Sequence, residues 1–134
     1  MRFGSTELSR FLPNSGGYVR TDDFGVQILL NYRSGRERFH SLSFKDINDI
    51  ETGKGNPNVL RDTFGGRIVL IGVTAPSIKD SIDTSAIANL QPPGKIYGVE
   101  FHAHVASQVV SAVLDGRPVL KTWSQGGEYL WIFS

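Results

Sequence analysis

The sequence contains no cysteine, which excludes disulfide bonds, thiolate nucleophiles and thiolate metal sites. It also lacks an excess of charge of either sign, because 14 lysines and arginines stand against 13 aspartates and glutamates. This balance argues against a surface built to hold nucleic acid, and we expect no nucleic-acid partner. The first ten residues lack the apolar core that a signal peptide needs.

No uninterrupted apolar run approaches the roughly 20 residues that a membrane-spanning helix needs. Residues 129–133, Tyr-Leu-Trp-Ile-Phe, form a short apolar run close to the last residue. The residues alone leave two interpretations open. The run is either the outer end of a membrane helix, with its aromatic side chains at the lipid interface, or an edge strand or tail that packs on the domain.

Three stretches of the 134-residue chain, rich in branched and aromatic side chains, predict β-strands: residues 26–32, 39–44 and 68–73. A short glycine-containing turn separates the first two, so we expect them to form a hairpin. The third is apolar except at Gly72, which indicates burial on both faces, as in a parallel sheet covered by helices. We therefore expect a single α/β domain with a mostly parallel central sheet flanked by helices.

Two helices are predicted from residue spacing. Ser43 and Asp46 are three residues apart, as in an acidic capping box, and predict a short helix over residues 44–51. Residues 99–114 predict a longer helix, which should end where Gly116 supplies a C-terminal cap. Its apolar stripe comprises Val99, His102, Ala103, Ala106, Val109, Val110, Val113 and Leu114, and its polar face comprises Glu100, His104, Ser107, Gln108, Ser111 and Asp115.

A series of short motifs follows in a fixed order between residues 64 and 103. They are Phe-Gly-Gly-Arg-Ile-Val-Leu-Ile-Gly at 64–72, Thr74 and Ala75, Asp80, Thr84, Pro93 and Gly94, and Tyr-Gly-Val-Glu-Phe-His-Ala at 97–103. Together they resemble the C-terminal half of the CHASE2 family, and residues 26–53 resemble it more weakly. Two departures are Ser85, where the family usually has proline, and residues 95–97, which lengthen the approach to the Val-Glu pair.

The resemblance implies an extracytoplasmic (periplasmic) sensor domain of a bacterial cell-membrane protein. Such domains are typically followed by transmembrane helices and a cytoplasmic adenylate or guanylate cyclase, histidine kinase or serine/threonine kinase. On this basis we expect a loosely structured leading segment at 1–25, a CHASE2-like sensor domain at 26–125 and the start of a membrane helix at 126–134. The implied partners are an unknown small-molecule signal and the membrane, reached through helices following Ser134 and an anchor upstream of Met1; homodimerisation stays open.

The long connection at residues 74–97 is the expected ligand site. It follows the predicted central strand, and ligands of open α/β sheets bind beyond the carboxyl ends of strands. The alternative is that its polar side chains only cap turns. The candidate ligand-binding residues are Thr74, Asp80, Asp83, Thr84, Glu100 and His102.

Other chemistry is weakly supported by the residues. Glu100 and His104 are four residues apart and could share a metal ion. Only two ligands are visible, however, and an exposed pair explains the spacing, so we expect no metal. His102 lies on the apolar stripe and is interpreted as a hydrogen-bonded core histidine. We expect no cofactor and no catalytic residues. The alternatives to a sensor are a small hydrolase using Asp80, His102 or Glu100, and a dimerisation or interaction module that binds no small ligand.

Overall fold

The computed structural model describes residues 2–8, 10–33, 39–84, 87 and 94–133. Within them lie four short strands and four helices: β1 (Arg2–Phe3), β2 (Thr6–Glu7), α1 (Phe44–Glu51), α2 (Asn58–Phe64), β3 (Ser81–Asp83), β4 (Lys95–Tyr97), α3 (Gly98–Leu114) and α4 (Gln125–Ile132). The chain divides into two compact units. Unit 1 comprises residues 1–32 and 104–134, and unit 2 comprises residues 33–103, so the division falls inside α3.

The prediction of a mostly parallel central sheet is wrong. The strands of the described residues form two separate antiparallel pairs, β1 with β2 and β3 with β4. None of the stretches 26–32, 39–43 and 68–73 is a strand, and Phe44 begins α1 instead of ending a strand. Residues 34–36 of the expected hairpin turn at 33–36 lie outside the described residues, as do the motif positions Ser85 and Pro93.

Residues 68–73 show why the pattern misled. Their side chains are exposed, Ile71 to 96%, although the run has the composition of a buried strand. A strand of this kind is stabilised by hydrogen bonds to neighbours and by cover on both faces. Apolar composition indicates that a segment can be buried, but it does not indicate that neighbouring strands are present to pair with it.

Residues 29–31 of unit 1 are held by a side chain instead of a strand. The side-chain amide of Gln108 accepts a hydrogen bond from the Asn31 N–H at 2.7 Å and donates one to the Leu29 carbonyl at 2.9 Å. One glutamine thus satisfies the donor and the acceptor that a neighbouring strand would have satisfied.

The predicted capping box of α1 is confirmed. The Ser43 Oγ accepts a hydrogen bond from the Asp46 N–H at 3.1 Å, and the Asp46 carboxylate accepts one from the Ser43 N–H at 3.0 Å. The Ser43 hydroxyl also donates to the same carboxylate at 2.6 Å. The hydroxyl bond, followed by the backbone bond, holds the pKa of Asp46 below its usual value.

Ser43→Ala is expected to lower the free energy of unfolding by about 0.5 to 2 kcal/mol, because it removes the N-terminal cap of α1. Chemical denaturation at neutral pH measures the loss. Ser41→Ala is the matched control, since Ser41 is exposed and has no hydrogen bond within the described residues, and it should change little. Equal losses in the two variants would contradict the capping role.

The same interaction makes the cap sensitive to acid. Because the folded-state pKa of Asp46 is lowered, its contribution to stability is present above the unfolded pKa of about 3.9 and is lost as the pH falls through the folded value. Ser43→Ala should therefore narrow the stability difference between neutral pH and about pH 3.

The longer helix is confirmed over Gly98–Leu114, and Gly116 follows it with φ +66°. The predicted orientation of this helix is wrong. His104, Gln108 and Ser111 of the expected polar face are buried, whereas Val110 and Leu114 of the expected apolar stripe are exposed. One helix was not predicted: α2 occupies residues expected to lead into a strand. Helix α4 (Gln125–Ile132) overlaps the stretch 126–134, where a helix was expected to begin.

Candidate functional site

The long connection of unit 2 contains a two-stranded ribbon, which the sequence did not predict. Strands β3 and β4 pair in the register Ser81 to Tyr97, Ile82 to Ile96 and Asp83 to Lys95. Ile96 is almost completely buried and Ile82 is half-buried, so these cross-strand neighbours provide the apolar contact of the ribbon. The ribbon makes residues 81–83 and 95–97 of this connection regular structure instead of loop.

Two of the candidate residues stabilise this ribbon. The Lys95 ammonium lies 2.9 Å from the Asp83 carboxylate across the two strands. The Thr84 N–H donates to the Gly94 carbonyl at 2.7 Å, one residue beyond the last paired positions. Asp83 is largely exposed, so its ion pair contributes little energy; its role is to fix one end of the ribbon.

Asp80 is in direct contact with the first residue of α3. Its carbonyl accepts a hydrogen bond from the Gly98 N–H at 3.0 Å, and its carboxylate lies over the Gly98 Cα so closely that any side chain at position 98 would collide with it. Position 98 is therefore restricted to glycine unless Asp80 moves. A negative carboxylate also suits the start of a helix, where the backbone N–H groups carry partial positive charge.

Glu100 closes the first turn of α3. Its carboxylate accepts a hydrogen bond from the Tyr97 N–H at 3.1 Å, which is the second half of a capping box. The structure thus brings Asp80 and Glu100 to the same helix terminus, whereas Asp83 and Thr84 lie at the other end of the ribbon. Thr74 is exposed in the preceding irregular stretch, and no hydrogen bond links it to these residues in the described part of the chain.

His102 does not occupy the core. It is exposed, and its ring lies against Phe101 with a centroid separation of 5.7 Å. In the residues that the structure describes, no hydrogen bond joins His102 to Asp80 or Glu100. A hydrolase of this kind depends on a general base that a carboxylate orients. The contacts of His102 among the described residues therefore do not support the hydrolase alternative.

The histidine that is buried is His104, which the sequence placed on the exposed face. Its ring packs edge-on against Tyr32 in unit 1, with the centroids 5.1 Å apart. His104 is buried and Glu100 is exposed, so the expectation of an exposed position is wrong for His104. Among the described residues, no group of three or more His, Asp or Glu side chains is placed to hold a metal ion.

One sequence signal could have identified this polar contact surface. Three polar residues of α3 follow i, i+4, i+7 spacing and therefore lie on one face of the helix: His104, Gln108 and Ser111. A polar row of this kind can be buried when each member finds a partner, and Gln108 finds two in the backbone of residues 29–31.

The last helix of unit 1 is largely apolar and exposed. Tyr129, Leu130, Trp131, Ile132 and Phe133 are all more than half exposed. An open groove of about 720 Å³ runs along the helix, and most of its lining is apolar, contributed in part by tryptophans. No helix in the described part of the chain has both the length and the apolar character needed to cross a membrane.

A family model for the CHASE2 domain matches residues 4–134. The chain belongs to the CHASE2 domain family. CHASE2 domains are extracytoplasmic sensory domains of membrane proteins rather than catalytic domains, so membership assigns a sensory role. No curated protein and no solved structure matches the chain.

Proposed function

We propose that this CHASE2 domain receives a small-molecule signal outside the cytoplasm and passes it through the membrane to a cytoplasmic cyclase or kinase. Family membership supports the sensory role. The observation that carries the reception site is the contact of Asp80 with Gly98, because it joins the candidate loop directly to the first residue of the longest helix.

The charges of the site indicate the chemistry of its ligand. Asp80 and Glu100 are exposed carboxylates at the start of α3, whereas Asp83 is offset by Lys95. Two carboxylates attract a ligand that carries hydrogen-bond donors or a positive charge, such as an amine or a polyol. Asp80 and Glu100 are thus the residues that would bind the ligand, and Thr84 would contribute from the far end of the ribbon.

The relay requires that the ligand favour one position of α3 over another, since a ligand shifts an equilibrium only by its differential affinity for the two states. A ligand that draws the Asp80 carboxylate away from Gly98 changes the contacts of the first turn of α3. The chain then continues through α3 into unit 1, which carries α4 and its exposed aromatic side chains. Helices beyond residue 134 would take the signal into the membrane.

A thermal-shift screen of the chain against amines, polyols, sugars, nucleotides and metal ions tests reception. A ligand present at 100 times its Kd should stabilise the fold by about 2.7 kcal/mol. Asp80→Asn and Thr84→Val should reduce the shift, whereas Asp62→Asn is the matched control, because Asp62 is an exposed carboxylate on α2 without a described partner. Equal losses in Asp62→Asn and Asp80→Asn would place the ligand elsewhere.

The absence of cysteine allows a direct test of the relay. Leu130→Cys introduces a unique thiol at an exposed position of α4, to which an environment-sensitive fluorophore can be attached. Ligand binding should change its emission, and Asp80→Asn should suppress that change. Binding that stabilises unit 2 and leaves the label unaffected would refute the relay. Tight self-association without any ligand-dependent stabilisation would favour the dimerisation module instead.

A further inference from the structure

Unit 1 contains a small cavity that has no part in the reception site. Its volume is about 160 Å³, roughly the space of five water molecules in the liquid. Phe11 and Leu29 provide apolar lining, and the polar lining comes from Arg10, Ser15, Lys121 and Thr122. A pocket of this size accommodates a small ion or acid.

The charges around this cavity are unequally paired. The Arg10 Nη2 donates to the Asp23 carbonyl at 2.9 Å and lies 3.3 Å from its carboxylate, so Asp23 offsets one of the two cations. Lys121 has no ion pair or hydrogen bond among the described residues. The cavity therefore keeps a positive charge, and the guanidinium of Arg10 keeps N–H donors that its bonds to Asp23 do not use.

Ser15 adds a neutral donor to these cations. Its Oγ accepts a hydrogen bond from the Leu12 N–H at 3.0 Å, which orients the oxygen and leaves its own proton available. Three of the residues that line this pocket thus carry donors of different kinds: a guanidinium, an ammonium and a hydroxyl. Such a set matches an oxyanion, whose oxygens accept charge-assisted hydrogen bonds.

We propose that this cavity binds a small oxyanion with a carboxylate or phosphate head, held by Lys121, Arg10 and Ser15. The cavity lining includes Thr122, and the N-cap of α4 is Ser124, whose Oγ accepts a hydrogen bond from the Gly127 N–H. An ion held by Lys121 restricts the residues that immediately precede α4. Binding does not depend on the reception site in unit 2, and the proposal stands without the proposed function.

Titration of the 134-residue chain with inorganic phosphate and, separately, with succinate tests the proposal. Chloride holds the ionic strength constant, and calorimetry together with the melting temperature measures binding. At least one probe should bind saturably, and Lys121→Gln should weaken it by about tenfold or more, because it removes a charge-assisted bond. Lys121→Glu should abolish binding. Lys54→Gln is the matched control. It changes the net charge by the same amount, and Lys54 is an exposed lysine of unit 2.

The possible outcomes are distinguishable. Binding that is about tenfold weaker or more in Lys121→Gln and abolished in Lys121→Glu supports the proposal, provided that Lys54→Gln is unchanged and circular dichroism shows all three variants folded. Preference for phosphate or for succinate identifies the head group. Stabilisation that does not saturate and is equal in every variant reflects exclusion of salt from the protein surface and overturns the proposal, as does saturable binding that survives Lys121→Glu.

Discussion

Replacement of Gln108 by leucine should lower the free energy of unfolding by about 2 to 6 kcal/mol. The glutamine side chain is 2% exposed, and its amide bonds to the Asn31 N–H and the Leu29 carbonyl, both partly buried. Leucine has a similar size but leaves both backbone groups without a partner, and each unsatisfied group costs about 1 to 3 kcal/mol. For a domain whose total stability is about 5 to 15 kcal/mol, this loss is large. Urea unfolding monitored by tryptophan fluorescence measures it.

Gln27 provides a matched control for this experiment. Its side-chain amide also donates to backbone carbonyls, those of Asp22 and Phe24, but these bonds are local and exposed. Water can replace them, so Gln27→Leu should cost less than about 1 kcal/mol. A loss in Gln108→Leu no greater than that in Gln27→Leu would show that residues 29–31 do not depend on the glutamine.

A second large effect is expected at Gly72. A Cβ built there would lie 2.5 Å from the Cβ of Val99 and 2.9 Å from its Cγ2, closer than carbon atoms can approach. Valine is stiff in a helix, so the contact cannot be relieved by rotating its side chain. Gly72→Ala should therefore cost about 1 to 3 kcal/mol in free energy of unfolding, measured by chemical denaturation.

Two further variants separate a collision from a general effect of alanine. Gly17→Ala has open space around the new methyl group and should change stability little. In a Val99→Gly background the added cost of Gly72→Ala should become smaller, because the opposing Cβ and both of its methyl groups are gone. An unchanged cost in that background would mean that the loss arises from the backbone of residue 72 and not from contact with Val99.

The helices show how far sequence pattern reaches in this chain. Helix α1 and the limits of α3 were predicted because caps and helix-ending glycines act within a few residues. The arrangement of the strands was predicted wrongly, because a strand depends on partners that no local pattern specifies. Residues 68–73, for example, have the composition of a buried strand and are exposed. Residues 29–31 form hydrogen bonds with the side chain of Gln108, which is far away in the sequence. Their own composition does not indicate this partner.

The candidate site was only partly predictable for a similar reason. The position of Asp80 and Glu100 in a long connection before a helix drew attention to them, and the structure places both at the start of α3. Their contacts with Gly98 and Tyr97 depend on how the ribbon returns to the helix. The periodicity of α3 shows which side chains share a face, but the face that is buried depends on what packs against the helix. For that reason His102, which was expected in the core, is exposed, and His104, which was expected on the exposed face, is buried.

The division of the chain also constrains the order in which the protein can assemble during its synthesis. Unit 2 is a single continuous stretch, whereas unit 1 needs residues 1–32 together with residues 104–134. At a translation rate of about 5 to 20 residues per second, the first part of unit 1 waits several seconds or more before Gln108 emerges from the ribosome. Until then the backbone of residues 29–31 lacks its native partner. Chain connectivity therefore allows unit 2 to fold early and delays unit 1 until residues 104–134 have been made.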